Sequence, residues 1–132
     1  MRASDPQYVA QRLRWALQAL AAPVEDQLRH TPAFAAQAEA LAVDFDNWFA
    51  VVRRGPVLPL SEAQLASLEA IDRRLARMSG REHVELWGAA ALRSAPAWVE
   101  VRQLAAGALA AFEWPVEVPP PNPDIYLPGE AP

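Results

Sequence analysis

The chain contains no cysteine and no lysine; all twelve of its basic residues are arginine. The first absence excludes disulfides, thiolate metal sites and cysteine nucleophiles. The second excludes a Schiff-base lysine and the lysine of a phosphate-binding loop. Hydroxyl nucleophiles are scarce as well. Ser4, Ser61 and Ser94 stand at predicted helix starts and Ser79 at a helix end, which leaves only Ser67 in mid-helix. No G-x-S-x-G occurs, so a serine hydrolase of that type is not supported. Alternation at period two is confined to Val116-Glu117-Val118, bracketed by Pro115 and Pro119, so no ordinary strand is predicted.

Long apolar runs are missing too. The longest, Leu104 to Phe112, is about half of what a membrane span requires. Asp5 and Pro6, with Arg12 and Arg14 after them, do not read as a signal peptide. The net charge of −4 and the pI near 5.1 argue against binding nucleic acid or an anionic membrane. The expectation is a soluble, cytoplasmic protein with no cofactor, no nucleic-acid partner and no membrane partner. An alanine-rich chain with arginine as its sole strong base suggests a GC-rich bacterial genome.

What the chain does have is helical periodicity. It is organised around the stretch from Phe34 to Val52. Phe34, Ala38, Leu41, Phe45, Trp48 and Val52 follow one another at steps of four, three, four, three and four. That spacing lays six apolar side chains along one face of an α-helix, and Ala42 and Phe49 widen the stripe. Thr31-Pro32 marks the start of this helix and Gly55-Pro56 its end.

The other elements follow the same logic. Ser4 to Ala22 reads as a helix capped by Ser4 or Asp5, with Val9, Leu13, Ala16, Leu17 and Leu20 inward and Tyr8 and Trp15 on a flank. Glu25 to His30 is a short turn with an i, i+4 pair, Glu25 and Arg29. Ser61 to Met78 is a helix with a capping box, Ser61 and Gln64, and a stripe of Leu65, Leu68, Ile71, Leu75 and Met78. A left-handed cap at Gly80 ends it. Arg81 to Arg93 reads as one helix with Val84, Trp87 and Ala91 inward. Ser94 to Phe112 reads as another, with Trp98, Val101, Leu104 or Ala105, Ala108 and Phe112 inward. Gly88 and Gly107 lie inside these last two helices, and close approach of the two backbones is the compensation we expect.

The fold class predicted is therefore all-α, an antiparallel bundle of four to five helices over residues 1–112. Residues 113–132 form an extended, proline-rich tail. The tail carries Trp114, Val116, Val118, Ile125, Tyr126 and Leu127, more apolar weight than a linker needs. It either wraps its own bundle or reaches a partner.

Candidate chemistry is thin. Asp26 and His30 at i, i+4 could be two metal ligands, with His83 between Glu82 and Glu85 as a third. Two ligands make no site, and helix-end polar contacts account for them, so no metal is assigned. Asp44 and Asp46 fall on opposite flanks of the Phe45 stripe and cannot act as a close carboxylate pair. Asp44 with Asn47 could touch a partner, or each flanking aspartate, Asp72 included, could pair with an arginine of a neighbouring helix. Arg53 and Arg54 are expected beside Glu62, and Arg77 and Arg81 beside Glu82 and Glu85. Trp98 and Arg102, four apart, could stack.

No catalytic residue is assigned. The function expected is non-enzymatic contact with another protein, or with a second copy as a homodimer. A toxin-neutralising, immunity-like protein or an adaptor would be one concrete form. Trp114, Ile125, Tyr126, Leu127, Asp44 and Asn47 are the candidate contact residues. The alternative is a small-ligand pocket, or a carboxylate and histidine enzyme, in a cleft between helices.

Overall fold

The side chain of Asp5 accepts hydrogen bonds from the backbone N–H groups of Gln7 (2.9 Å) and Tyr8 (3.4 Å), and the first helix begins there. In the computed structural model this helix, α1, spans Pro6–Ala21. The structure describes residues 5–30, 36–55 and 57–120. Ser4, the Thr31-Pro32 start signal, Phe34, the side chain of His30 and the segment 121–132 lie outside the described residues. Helices α2 (Val24–His30), α3 (Gln37–Arg54), α4 (Glu62–Arg77), α5 (Ala89–Ser94) and α6 (Pro96–Phe112) follow. A 3-10 helix, Arg81–Trp87, joins α4 to α5. Every regular element among the described residues is helical, and none is a strand.

The apolar stripes close the core as their spacing requires. Val9, Leu13, Ala16, Leu17 and Leu20 are buried on α1, and Ala38, Leu41, Phe45, Trp48, Phe49 and Val52 on α3. Leu68, Ile71, Leu75 and Met78 come from the region of α4, and Trp98, Val101, Ala105, Ala108 and Leu109 from α6. Phe45 and Phe49 stack with ring centres 5.6 Å apart. Each fully buried Leu, Ile or Phe side chain contributes roughly 1.5–3 kcal/mol over an exposed one. The packing partners were not set by loop length. α6 rests extensively on α1 and α4, and α1 on α3, while α3 and α4 touch little although one short loop joins them.

Ser61 and Gln64 form the capping box foreseen for α4. The Ser61 Oγ accepts from the Gln64 N–H at 3.1 Å, and the Gln64 Oε1 accepts from the Ser61 N–H at 2.9 Å. Elsewhere the structure departs from the sequence reading. Arg81 to Arg93 is not one helix. The backbone of His83 (φ −119°, ψ 17°) leaves helical geometry, and Gly88 (φ −88°, ψ 165°) is extended. Glycine lowers helix propensity there, and two indole N–H groups make up the loss. Trp87 Nε1 donates to the Met78 carbonyl (2.8 Å) and Trp98 Nε1 to the Leu86 carbonyl (2.7 Å). A 3-10 register rotates Val84 outward, so the residue expected inside is 69% exposed.

Gly80 has the positive φ anticipated (110°), but its ψ of 160° is extended rather than left-handed helical. The left-handed cap is instead at Glu113 (φ 59°, ψ 36°), which ends α6. Its N–H donates to the Ala110 carbonyl at 3.0 Å, and the Trp114 N–H to the Leu109 carbonyl at 2.9 Å. Close approach does not explain Gly88 or Gly107. A Cβ added at either would meet nothing within 4 Å.

Several expected ion pairs chose other partners. Arg53 reaches Asp72 (3.9 Å) rather than Glu62, and lies 4.6 Å over the Phe49 ring. Arg29 pairs with Asp26, and Glu25 pairs with Arg93 at 3.4 Å. Arg102 turns from Trp98 to the Gln27 Oε1 (2.9 Å) and the Leu92 carbonyl (3.2 Å). Gln27 is fully buried and donates to the carbonyls of Ala19 (3.2 Å) and Leu20 (2.9 Å) at the end of α1. This glutamine joins α1, α2 and α6, and burial lowers the Arg102 guanidinium pKa from its ordinary value.

Beyond α6 the described start of the tail turns back over α1. Trp114 stacks on Phe112 with ring centres 4.3 Å apart and planes at 9°. Gln18 Nε2 donates to the Pro115 carbonyl (3.0 Å), Arg14 is 3.6 Å from Glu117, and Pro119 is buried.

Candidate functional site

Two helices that barely touch leave a trough between them. From α3 it is lined by Glu39, Ala42, Val43 and Asp46, and from α4 by Asp72, Leu75 and Ala76, with Ser79 just beyond the end of α4. The α3 set has the offsets i, i+3, i+4, i+7 and the α4 set i, i+3, i+4, so each helix presents a second stripe beside its core stripe. Seven residues of helix rise about 10 Å, which sets the length of the walls. The Arg53–Asp72 pair ties the start of the α4 wall to the later half of α3. The 3-10 helix supplies Val84 and Trp87, and with Gly80 it closes one end. The volume of the trough is about 580 Å³.

The floor is apolar and the rim is acidic. Leu75 is buried and Ala42 and Trp87 half-buried, while Val43 (55% exposed) and Val84 (69% exposed) stand at the lip. They are two of the large apolar side chains that this surface leaves to water. Glu39, Asp46 and Asp72 carry the charge, and no arginine lines the trough. Only Asp72 of the three has an ion pair among the described residues. The Glu82 carboxylate sits over Gly80 at the closed end, 3.1 Å from where a Cβ there would be. A smaller hollow of about 370 Å³ adjoins it, lined by Asp46, Phe49, Ala50, Arg53 and Arg54.

The residues singled out in the sequence are scattered. Asp44 is buried in α3 and Asn47 is exposed beside it. Trp114 is half-buried on Phe112. Ile125, Tyr126 and Leu127 lie outside the described residues. His83 belongs to the 3-10 helix but does not line the trough, and its Nε2 is 4.0 Å from Glu82. Asp26 is engaged by Arg29. Among the described residues no group of three or more metal-ligating side chains is gathered. No helix there is long and apolar enough to cross a membrane.

Sequence reasoning missed the trough because each core stripe is the stronger pattern on its helix. The signal was present in Val43, a valine well off the Phe45 stripe, and in the repeat of the first three offsets on α4. It also missed Arg12, which is only 5% exposed. Its Nη1 donates to the Tyr8 hydroxyl (2.8 Å) and its guanidinium lies 5.0 Å over Trp48, itself edge-on to Tyr8. Tyr8 and Arg12 stand four apart in the sequence, which is the spacing that would have revealed the pair.

Comparison with protein-family models, with curated proteins and with solved structures finds no match.

Proposed function

We propose that this chain is a non-enzymatic protein that acts by binding another protein, and that the trough between α3 and α4 is the face it offers. The observation that carries the reading is an apolar floor left open along its length, with Val43 and Val84 in water at its lip. Exposed apolar surface rimmed by charge marks contact sites. The helices form an antiparallel bundle in this reading. Residues 113–132 act as a strap on that bundle, for which the contacts of Gln18 and Arg14 speak. An acidic neutraliser of a toxin, or an adaptor, working in a bacterial cytoplasm is one concrete form.

A volume of about 580 Å³ would also hold a small ligand. Small-molecule sites bury about 70–90% of their ligand, however, and a trough open along one side leaves a small molecule wet. An elongated partner segment fills it better.

The test is a photo-crosslinking residue placed at Val84, or at Val99 on α6 as a control, in the producing cell. A discrete adduct at Val84, absent at Val99 and lost with Ala76→Arg in the trough lining, supports the reading. Equal adducts at both positions defeat it. So does a small molecule whose stabilising thermal shift disappears with Ala76→Arg.

A further inference from the structure

We infer that the trough takes a cationic amphipathic helix of a partner protein, apolar along one stripe and lysine- or arginine-bearing along both flanks. The inference rests on the protein-contact reading above and names the chemistry of the partner.

Shape argues first. The α3 wall is a stripe with offsets i, i+3, i+4, i+7, running about 10 Å along the helix, and the α4 wall faces it with Asp72, Leu75 and Ala76 at i, i+3, i+4. A helix laid between two such walls presents similar offsets, so its own i, i+3, i+4, i+7 side chains meet Ala42 and Leu75 and the exposed Ala76 beside them. Small residues at Ala42 and Ala76 let a third helix approach, as α3 and α4 do not close on each other there.

Charge argues second. Carboxylates stand on both walls, Glu39 and Asp46 on α3 and Asp72 on α4, with no cation among the described residues that line the trough. Arg53 already pairs with Asp72, but an acidic or neutral helix would leave Glu39 and Asp46 facing apolar surface without compensation, whereas basic flanks meet both rims. The same charge argues against the chain's own tail as the occupant. Residues 121–132 carry Asp124 and Glu130 and no arginine. The tail also leaves α6 over α1, through Arg14 and Glu117, not over α4.

The experiment uses the full chain and two fluorescent synthetic helices of about 18 residues, long enough to hold helical structure when docked. Both carry leucine at i, i+3, i+4 and i+7; one has lysine on its flanks and the other glutamate. Anisotropy titration should show the lysine helix binding at least about tenfold tighter than the glutamate helix. Ala76→Arg, or Glu39→Lys with Asp46→Lys, should weaken the lysine helix by about tenfold or more, while Glu117→Lys on the tail leaves it unchanged. Circular dichroism confirms that each variant is folded.

Equal binding of the two helices, indifference to Ala76→Arg, or an equal loss with Glu117→Lys overturns the inference. So does tighter binding after residues 121–132 are removed, which would make the tail the occupant. A dimer by light scattering that Ala76→Arg converts to monomer would make a second copy the occupant and overturn it too. If the lysine helix fails to bind while the Val84 adduct persists, the charge class is wrong and the protein-contact reading stands. If the adduct is also missing, both fall.

Discussion

Trp87 stands edge-on to Trp98, with ring centres 5.4 Å apart and planes at 89°. Each indole N–H also closes a backbone bond, Trp87 to Met78 and Trp98 to Leu86. Together they clamp the 3-10 helix between the end of α4 and the start of α6. A segment with no fully buried side chain of its own is thereby held in place, and it becomes the end wall of the trough.

Trp98→Phe keeps an aromatic ring but leaves the Leu86 carbonyl without its donor and a gap beside Trp87. It should cost about 2 kcal/mol, and Trp98→Ala about 3–5 kcal/mol. Urea unfolding followed by circular dichroism reads both. A cost below about 1 kcal/mol for Trp98→Ala would show that the residue is not the core member described.

Gln27→Met keeps the volume and removes every polar atom of that side chain. The Leu20 carbonyl loses its donor and Arg102 loses an acceptor, at a cost of about 2–3 kcal/mol in the same assay. The pH dependence of this site follows from the lowered Arg102 pKa. Below that lowered value the guanidinium is charged in both folded and unfolded chains, so its burial cost is constant. Only above it, in strong alkali, does the unfolded chain bind more protons and the cost fade. Unfolding free energies measured across the neutral range should therefore show no slope assignable to Arg102.

Two residues at the end of α6 look exchanged. Gly107 lies in the helix interior with open space where a Cβ would go, and Glu113 occupies the left-handed position that glycine prefers. Gly107→Ala should raise stability by about 0.5–1 kcal/mol and Glu113→Gly by a similar amount, each seen as a higher melting temperature. Six residues and no shared contact separate them, so the double variant should be close to additive.

Trp114→Ala removes the ring stacked on Phe112 and should cost about 1–2 kcal/mol. Gln18→Ala removes the donor to the Pro115 carbonyl. If the strap docks as a unit, the double-mutant cycle between them gives a coupling of at least about 0.5 kcal/mol. Independent effects would mean that Trp114 belongs to the helix end alone.

Legibility varied by element for physical reasons. On α1, α3, α4 and α6 most of the buried apolar residues are those whose spacing marked them, because a single apolar stripe has one way to leave water, although Leu65 and Phe112 stay half-buried and Leu109 is buried unmarked. Between Arg81 and Arg93 the same spacing misled, since the backbone leaves helical geometry at His83 and again at an extended Gly88, and Val84 is turned outward. Asp5 and Ser61 were readable as caps from neighbouring residues alone. Arg102 and Gln27 were not, because each takes partners from other helices.

The order of residues by itself determined that the described chain is helical, where its main helices lie and which side of each avoids water. Those outcomes depend on period and capping, which act over one or two turns. Only the tertiary structure decided that α6, not α3, is the packing partner of α4. That choice depends on how whole surfaces fit, and it opens the trough in which Val43, Val84 and three carboxylates meet.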